Sequence, residues 1–293
     1  MSDSPAYDEE NTSRTGKAGA LTLRWHEAGP DGPPADPETP VLVLLHGGGP
    51  GASGWSNFGR NLPAFAPHFR TLLIDQPCFG ASDKTAPDRD YFSFAARAVV
   101  DLLDTLDIPR AHFVGNSLGG GTATRIALDH PDRVGRLLLM GPGGISLNLF
   151  HADPTEGIRR LFDYSLAPEP TREQMRAFLT TLVHDPALVT EELIDERHAR
   201  ALDPEARLGN ARMGAAFAAF PEESMLWREA HRITHPTLLT WGREDRVNPV
   251  DGAFLALKAI PDARLHVFPR CGHWAQTEAA DAFNRLALDF FTP

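Results

Sequence analysis

Ser117 lies in the pentapeptide Gly115-Asn116-Ser117-Leu118-Gly119, after the apolar run Ala111 to Val114 and before a helix-like segment. A turn that carries a strand into a helix this sharply strains its middle residue, and only very small neighbours on both sides avoid a clash. The pattern predicts a nucleophile elbow with Ser117 exposed at the top of a sheet. Gly-x-Ser-x-Gly also arises by chance in a chain with 25 glycines, so the strand-turn-helix context carries the inference.

A serine hydroxyl is a weak nucleophile until an imidazole takes its proton and a carboxylate fixes that imidazole's tautomer. Elbow hydrolases place these groups in the chain order Ser, Asp or Glu, His. After the β-like run Thr237 to Trp241 comes Gly242-Arg243-Glu244-Asp245, and Asp245 is the candidate acid on its position past the strand. Glu244 is the alternative, with Asp245 then capping the following segment. After Leu265 to Phe268 comes Cys271-Gly272-His273-Trp274, which makes His273 the candidate base among 12 histidines. His46 opens a glycine-rich turn, Gly47 to Gly51, after the strand Val41 to Leu45, and reads as structural. Backbone amides there can approach an oxyanion unobstructed, so the candidate donors are Leu118 and Gly48 or its neighbour.

Such groups need a sheet to hold them. Strand-like runs at 41–45, 71–74, 111–114, 136–140, 237–241 and 265–268 alternate with helical patterns at 95–106, 118–129 and 281–291. That alternation predicts an α/β fold, a mostly parallel sheet covered on both faces, with ligands at the carboxyl ends of its strands. From 145 to 225 the strand pattern stops. Four proline-punctuated helical patterns replace it (155–164, 171–182, 190–202 and 204–220), which predicts a helical lid over the strand ends. The expected organisation is a flexible polar tail over 1–18, a core over 19–144 and 226–293, and the lid over 145–225. Gly29 to Pro37 reads as a hairpin or loop.

The 293 residues suffice for a full core. A net charge of −11 without a basic cluster argues against nucleic acid as a partner. No apolar window approaches a membrane span, the N-terminus lacks a signal-peptide core, and two cysteines, Cys78 and Cys271, fit a reducing compartment; a cytoplasmic location is expected. Neither metal-ligand spacing nor a phosphate loop occurs, so no metal or cofactor is expected.

Taken together, His46 to Gly51, Trp55-Ser56-Asn57, Gly115 to Gly121, Met140 to Gly144, Trp241 to Arg246 and Cys271 to Trp274 resemble the meta-cleavage product hydrolases. These are α/β-hydrolases that cut a carbon–carbon bond in the vinylogous diketones left when an extradiol dioxygenase opens a catechol. The resemblance runs from about residue 20 to 291 and implies an α/β-hydrolase fold, a small-molecule dienoate substrate and a homo-oligomer. It implies a triad of Ser117, Asp245 and His273, oxyanion amides at Gly48 and Leu118, and a polar substrate pocket of Gly49, Asn57, Asn116, Arg197 and Trp274. By itself, Arg197 in a helical pattern is most simply a solvated face; a carboxylate beside an enol oxygen would give its guanidinium a planar bidentate partner.

Two positions depart from the family pattern. Cys78 stands where glycine is usual, and Ala187 where several relatives have a polar residue lining the pocket. Within the family, Asn148 to Phe150, Asp153 to Gly157 and Gly242 to Pro249 are most similar to the actinobacterial branch acting on ring-opened steroids, and the biphenyl-type branch shares many of these positions. A carboxylesterase or thioesterase would use the same triad on another acyl group, and a noncatalytic receptor can retain it.

Overall fold

The computed structural model describes residues 7–30 and 39–292. Eight strands, β1 (Ser13–Ala18), β2 (Leu21–Ala28), β3 (Val41–Leu45), β4 (Arg70–Ile74), β5 (Ala111–Asn116), β6 (Val134–Met140), β7 (Thr237–Gly242) and β8 (Ala263–Phe268), form one sheet in the order β1-β2-β4-β3-β5-β6-β7-β8. β2 pairs antiparallel with β1 and β4, and every other pairing is parallel. This is the mostly parallel sheet expected from the alternation, in the α/β-hydrolase architecture that the resemblance implies.

The parallel strands read as unbroken apolar runs because both faces are covered. Along β3, Leu42 and Leu44 join one core with Phe65, Leu138 and Phe283, while Val43 and Leu45 join the other with Phe113, Leu139 and Ile126. The helices are α1 (Gly54–Phe58), α2 (Leu62–Phe65), α3 (Tyr91–Thr105), α4 (Leu118–Asp129), α5 (Glu156–Ser165), α6 (Arg172–Thr181), α7 (Glu191–Leu202), α8 (Pro204–Ala219), α9 (Ala253–Ala259), α10 (Ala275–Glu278) and α11 (Ala280–Phe291). Leu118 to Leu128 of α4 are all buried, so this helix starts and runs inside the fold. The connection from β6 to β7 holds α5 to α8, whose starts are set by the side-chain caps Thr155, Thr171, Thr190 and Asp203. A third apolar cluster ties this layer together through Met175, Phe178, Leu179, Ile194 and Trp274. Among the described residues no helix is long and apolar enough to cross a membrane.

One expectation is corrected at the N-terminus. Ser13–Ala18, placed in a flexible tail over 1–18, is an edge strand in register with β2 from Ser13↔His26 to Ala18↔Leu21. Its pairing is made by backbone, and only Ala18 is buried, so its side chains carry almost no apolar signal. Residues 1–6 of that tail, and 31–38 of the expected loop at 29–37, lie outside the described residues.

Cys78, in place of the family's glycine, keeps a glycine-like backbone: its φ is 75°. Its amide donates to Asp83 O at 2.9 Å, and α8 packs so closely here that a Cβ on Gly209 would lie 2.1 Å from Cys78 O. An L-residue in this region costs about 1–2 kcal/mol, and the buried thiol recovers part of it. Cys78→Gly is therefore expected to unfold within about 1 kcal/mol of wild type in urea, whereas the β-branched Cys78→Val should lose about 2 kcal/mol or more. A valine variant as stable as wild type would show that the turn does not need the left-handed conformation.

Candidate active site

The parallel register puts Leu45 beside Gly115, so the loops leaving β3 and β5 emerge side by side where the strand order reverses. Ligands bind at such a switch point. Ser117 lies there at φ 50°, ψ −112°, between the end of β5 and the first turn of α4. The flanking glycines are required by space: a Cβ on Gly115 would lie 2.4 Å from Gly119 O, and one on Gly119 would lie 2.1 Å from Leu45 O. The strained backbone is held by the Ser117 amide donating to Met140 O at 2.9 Å and by Gly143 N donating to Ser117 O at 2.8 Å.

β7 and β8 deliver the other two groups. His273 Nδ1 is 2.7 Å from Asp245 Oδ2, with the side chains 4% and 1% exposed. The second oxygen, Oδ1, accepts the amides of Val247 (2.8 Å) and Asn248 (2.9 Å), so the carboxylate cannot rotate without losing three partners. With a carboxylate on Nδ1, the proton sits there and Nε2 is left as the acceptor. Gly141, at φ 44°, makes room for this pair: a Cβ would stand 3.0 Å from Asp245 Oδ2 and 3.2 Å from His273 Nδ1. Glu244 points elsewhere, accepting Cys271 N at 2.9 Å and pairing with Arg243. His273 and Ser117 line one cavity of about 1190 Å³.

The glycine-rich loop runs along the cavity from Gly47 to Pro50. Gly48 lies against Leu118, where an added Cβ would be 3.3 Å from Cδ2. The Leu118 amide, first in α4, has no helical acceptor. His46 is structural: its Nε2 accepts Gln76 N at 3.0 Å and its Nδ1 lies 2.8 Å from Gly47 O, while burial lowers its pKa.

The expected polar pocket is only partly assembled on the cavity wall. Gly49, Asn116 and Trp274 line it. Asn116 Nδ2 reaches His273 O at 3.3 Å, and its buried Oδ1 has no partner. Asn57 lies behind the wall, where Oδ1 accepts Gly47 N at 3.3 Å and so braces the loop. Arg197 is also one layer back. It is 2% exposed, donates through Nε (3.2 Å) and Nη2 (2.9 Å) to Pro50 O, and lies over the Trp274 ring at 5.8 Å. A Cβ on Gly49 would be 3.7 Å from its Nη2, so the bare glycine separates guanidinium from cavity. Burial lowers its pKa to about 10, and among the described residues no carboxylate pairs with it.

Ala187 requires correction. It is exposed on the short turn Pro186–Leu188 and is absent from the wall, because that turn faces solvent at the far end of α6. Residues not anticipated supply most of the wall, notably Phe92 of α3, Leu161 of α5, Phe178 of α6 and Phe217 of α8. Their spacing is that of ordinary core positions, so no sequence signal marks them. Tyr164 also lines the cavity, its hydroxyl 2.8 Å from His198 Nδ1. Phe162 and Leu166, 48% and 77% exposed, line the same space and mark an apolar mouth beside α5. Among the described residues no three His, Cys, Asp or Glu side chains are grouped to hold a metal ion.

A family model for the alpha/beta hydrolase fold matches residues 40–280. The chain is 45% identical over 251 residues to a 2-hydroxy-6-oxo-6-phenylhexa-2,4-dienoate hydrolase of Burkholderia cepacia, covering 85% of this chain and 87% of that one. It is 44% identical over 257 residues to a 2-hydroxy-6-oxononadienedioate/2-hydroxy-6-oxononatrienedioate hydrolase of Comamonas testosteroni, covering 86% and 88%. Among solved structures it matches a 2-hydroxy-6-oxo-6-phenylhexa-2,4-dienoate hydrolase from Rhodococcus with a TM-score of 0.85, 30% identity and coverage of 95% and 98%.

The geometry separates the two acid candidates. Asp245→Asn, which loses the acceptor for the Nδ1 proton, is expected to lower kcat by about ten-thousandfold, and Ser117→Ala by about a thousandfold or more. Glu244→Gln keeps an oxygen for the Cys271 amide and should cost less than about tenfold. Steady-state rates on one acyl substrate decide, and the reverse ranking of the two acid variants would reassign the acid.

Proposed function

We propose, for a chain that belongs to the meta-cleavage product hydrolases of the α/β-hydrolase fold, that Ser117, His273 and Asp245 cleave a 2-hydroxy-6-oxo-2,4-dienoate whose remote carbonyl carries a bulky ring system from an opened steroid. The observation that carries the dienoate reading is Arg197, a buried cation without a carboxylate partner among the described residues. A buried charge without a counter-charge is costly. The carboxylate of a dienoate supplies one, and bare Gly49 lets it approach the guanidinium.

His273 assists transfer of the enol proton to the dienoate carbon next to the remote carbonyl, giving the keto tautomer. Ser117 Oγ then attacks the remote carbonyl carbon as His273 Nε2 takes its proton, and the oxyanion is met by the amides of Leu118 and Gly48. Collapse breaks the carbon–carbon bond. The departing carbon's electron pair is delocalised through the enone as a dienolate, whose C2 oxygen takes the proton from the His273 imidazolium to give the 2-hydroxydienoate; neutral His273 then deprotonates a water that attacks the acyl carbon, and returns that proton to Ser117 Oγ as the carboxylic acid leaves. Helices α5 to α8 act as a lid that keeps bulk water from the carbanion equivalent.

The steroid substituent rests on the segments Asn148 to Phe150, Asp153 to Gly157 and Gly242 to Pro249, and on a cavity of about 1190 Å³. That volume exceeds the roughly 300–1,000 Å³ of an ordinary small-ligand site. The wall from Phe92, Leu161, Met213 and Phe217 offers a large apolar group continuous contact. An aryl substituent is the second reading, favoured by the relatives named for a phenyl dienoate.

Loss of the yellow dienolate absorbance measures both. A bicyclic steroid-derived dienoate is expected to be consumed with a kcat/KM at least about tenfold above its phenyl counterpart, as the larger group buries more apolar surface. Consumption of the phenyl compound alone would remove the steroid substituent. Consumption of neither, with simple esters hydrolysed, would remove the carbon–carbon hydrolase reading for this chain. Arg197→Lys and Arg197→Ala should weaken dienoate turnover progressively, by about tenfold or more for alanine, while nitrophenyl ester hydrolysis changes little.

A further inference from the structure

Three consecutive amides lead into the imidazole of His273, and each donates to a different part of the fold. Cys271 N donates to the Glu244 carboxylate at 2.9 Å, Gly272 N to Glu278 Oε1 at 2.6 Å, and His273 N to Leu182 O at 2.8 Å. Glu278, the last residue of α10, does more than the others. Its Oε2 also accepts His184 N at 2.6 Å and Asp185 N at 3.3 Å, just beyond the end of α6. One carboxylate thus bridges the loop that carries His273 and the segment that leaves the helical layer. The fit leaves no slack: a Cβ on Gly272 would lie 2.8 Å from Leu182 O. Burial raises the pKa of Glu278, and the three amides oppose that effect.

We propose that Glu278 is a positioning residue for the reaction, fixing the His273 loop against the end of α6 so that the imidazole stays on Asp245 and square to Ser117. The inference rests on His273 acting as the base. It assigns the carboxylate a double task that neither a single hydrogen bond nor an apolar side chain fulfils. Glu278 touches no reacting atom, so its contribution appears in geometry. A displacement of about 1 Å at a catalytic group costs on the order of a hundredfold in rate.

Glutamine is the decisive substitution, since Glu278→Gln preserves size and one acceptor oxygen but turns an NH2 toward an amide on the other side. Glu278→Gln is expected to lower kcat about 10- to 100-fold with KM within about threefold, and Glu278→Ala at least as much. The low-field proton resonance of His273 Nδ1 should broaden or vanish in both. Nitrophenyl ester and dienoate are assayed in parallel. If wild type hydrolyses only the ester, the substrate reading fails and the Glu278 comparison still stands on the ester. In wild type, hydrogen exchange gives a mutation-free reading: Gly272 and His184 amides should open together with similar protection. Wild-type kcat in both variants overturns the proposal. So does a kcat loss that only follows the unfolded fraction with the low-field resonance unchanged, or protection of the two amides differing by more than about tenfold.

Discussion

Everything at the site depends on how closely α4 starts to the end of β3. Ser117 can hold its strained backbone only because Gly119 passes Leu45 O with no space for a methyl group, and because Gly115 does the same against Gly119 O. That approach sets the Leu118 amide beside the Gly48 loop and aims the serine into the cavity instead of along the helix. A looser junction would relieve the strain and separate the two loops at the same time. The strain is held by packing on all sides, since α4 is buried from its first residue.

The charged groups around the cavity are compensated unequally. Asp245 has an imidazole and two amides, and Glu278 has three amides. Arg197 has one carbonyl and the face of Trp274. In a low-dielectric setting that leaves an unsatisfied positive potential behind Gly49, on the side of the cavity lined by Gly47 to Pro50. The proposed dienoate would thus be held by its anionic end while its remote carbonyl faces Ser117.

The placement of the candidate triad was legible in the sequence where residue type, spacing and strand context coincided. Ser117, Asp245 and His273 each follow an apolar run, and the runs are the parallel strands β5, β7 and β8 of one sheet; α4 begins and ends at the residues its pattern marks, Leu118 and Asp129. Legibility failed where position depends on partners distant in sequence. Asn57 and Arg197 were expected on the cavity wall and stand behind it, because a glycine loop more than a hundred residues from Arg197 intervenes. Ser13–Ala18 is a strand by backbone pairing alone, and Ala187 is turned to solvent. The apolar wall was invisible because Phe178 or Phe217 facing a cavity has the same spacing as one facing a core.

These differences follow from a division between the sheet and the layer above it. The loops at the strand ends hold Ser117, Asp245 and His273 around glycines that leave no room for a side chain. The apolar wall of the cavity comes mainly from α5, α6 and α8, with Phe92 of α3. The two parts meet where Leu182, His184 and Asp185 are tied to the His273 loop. Glu278 spans that junction as a half-buried carboxylate held by the amides of Gly272, His184 and Asp185.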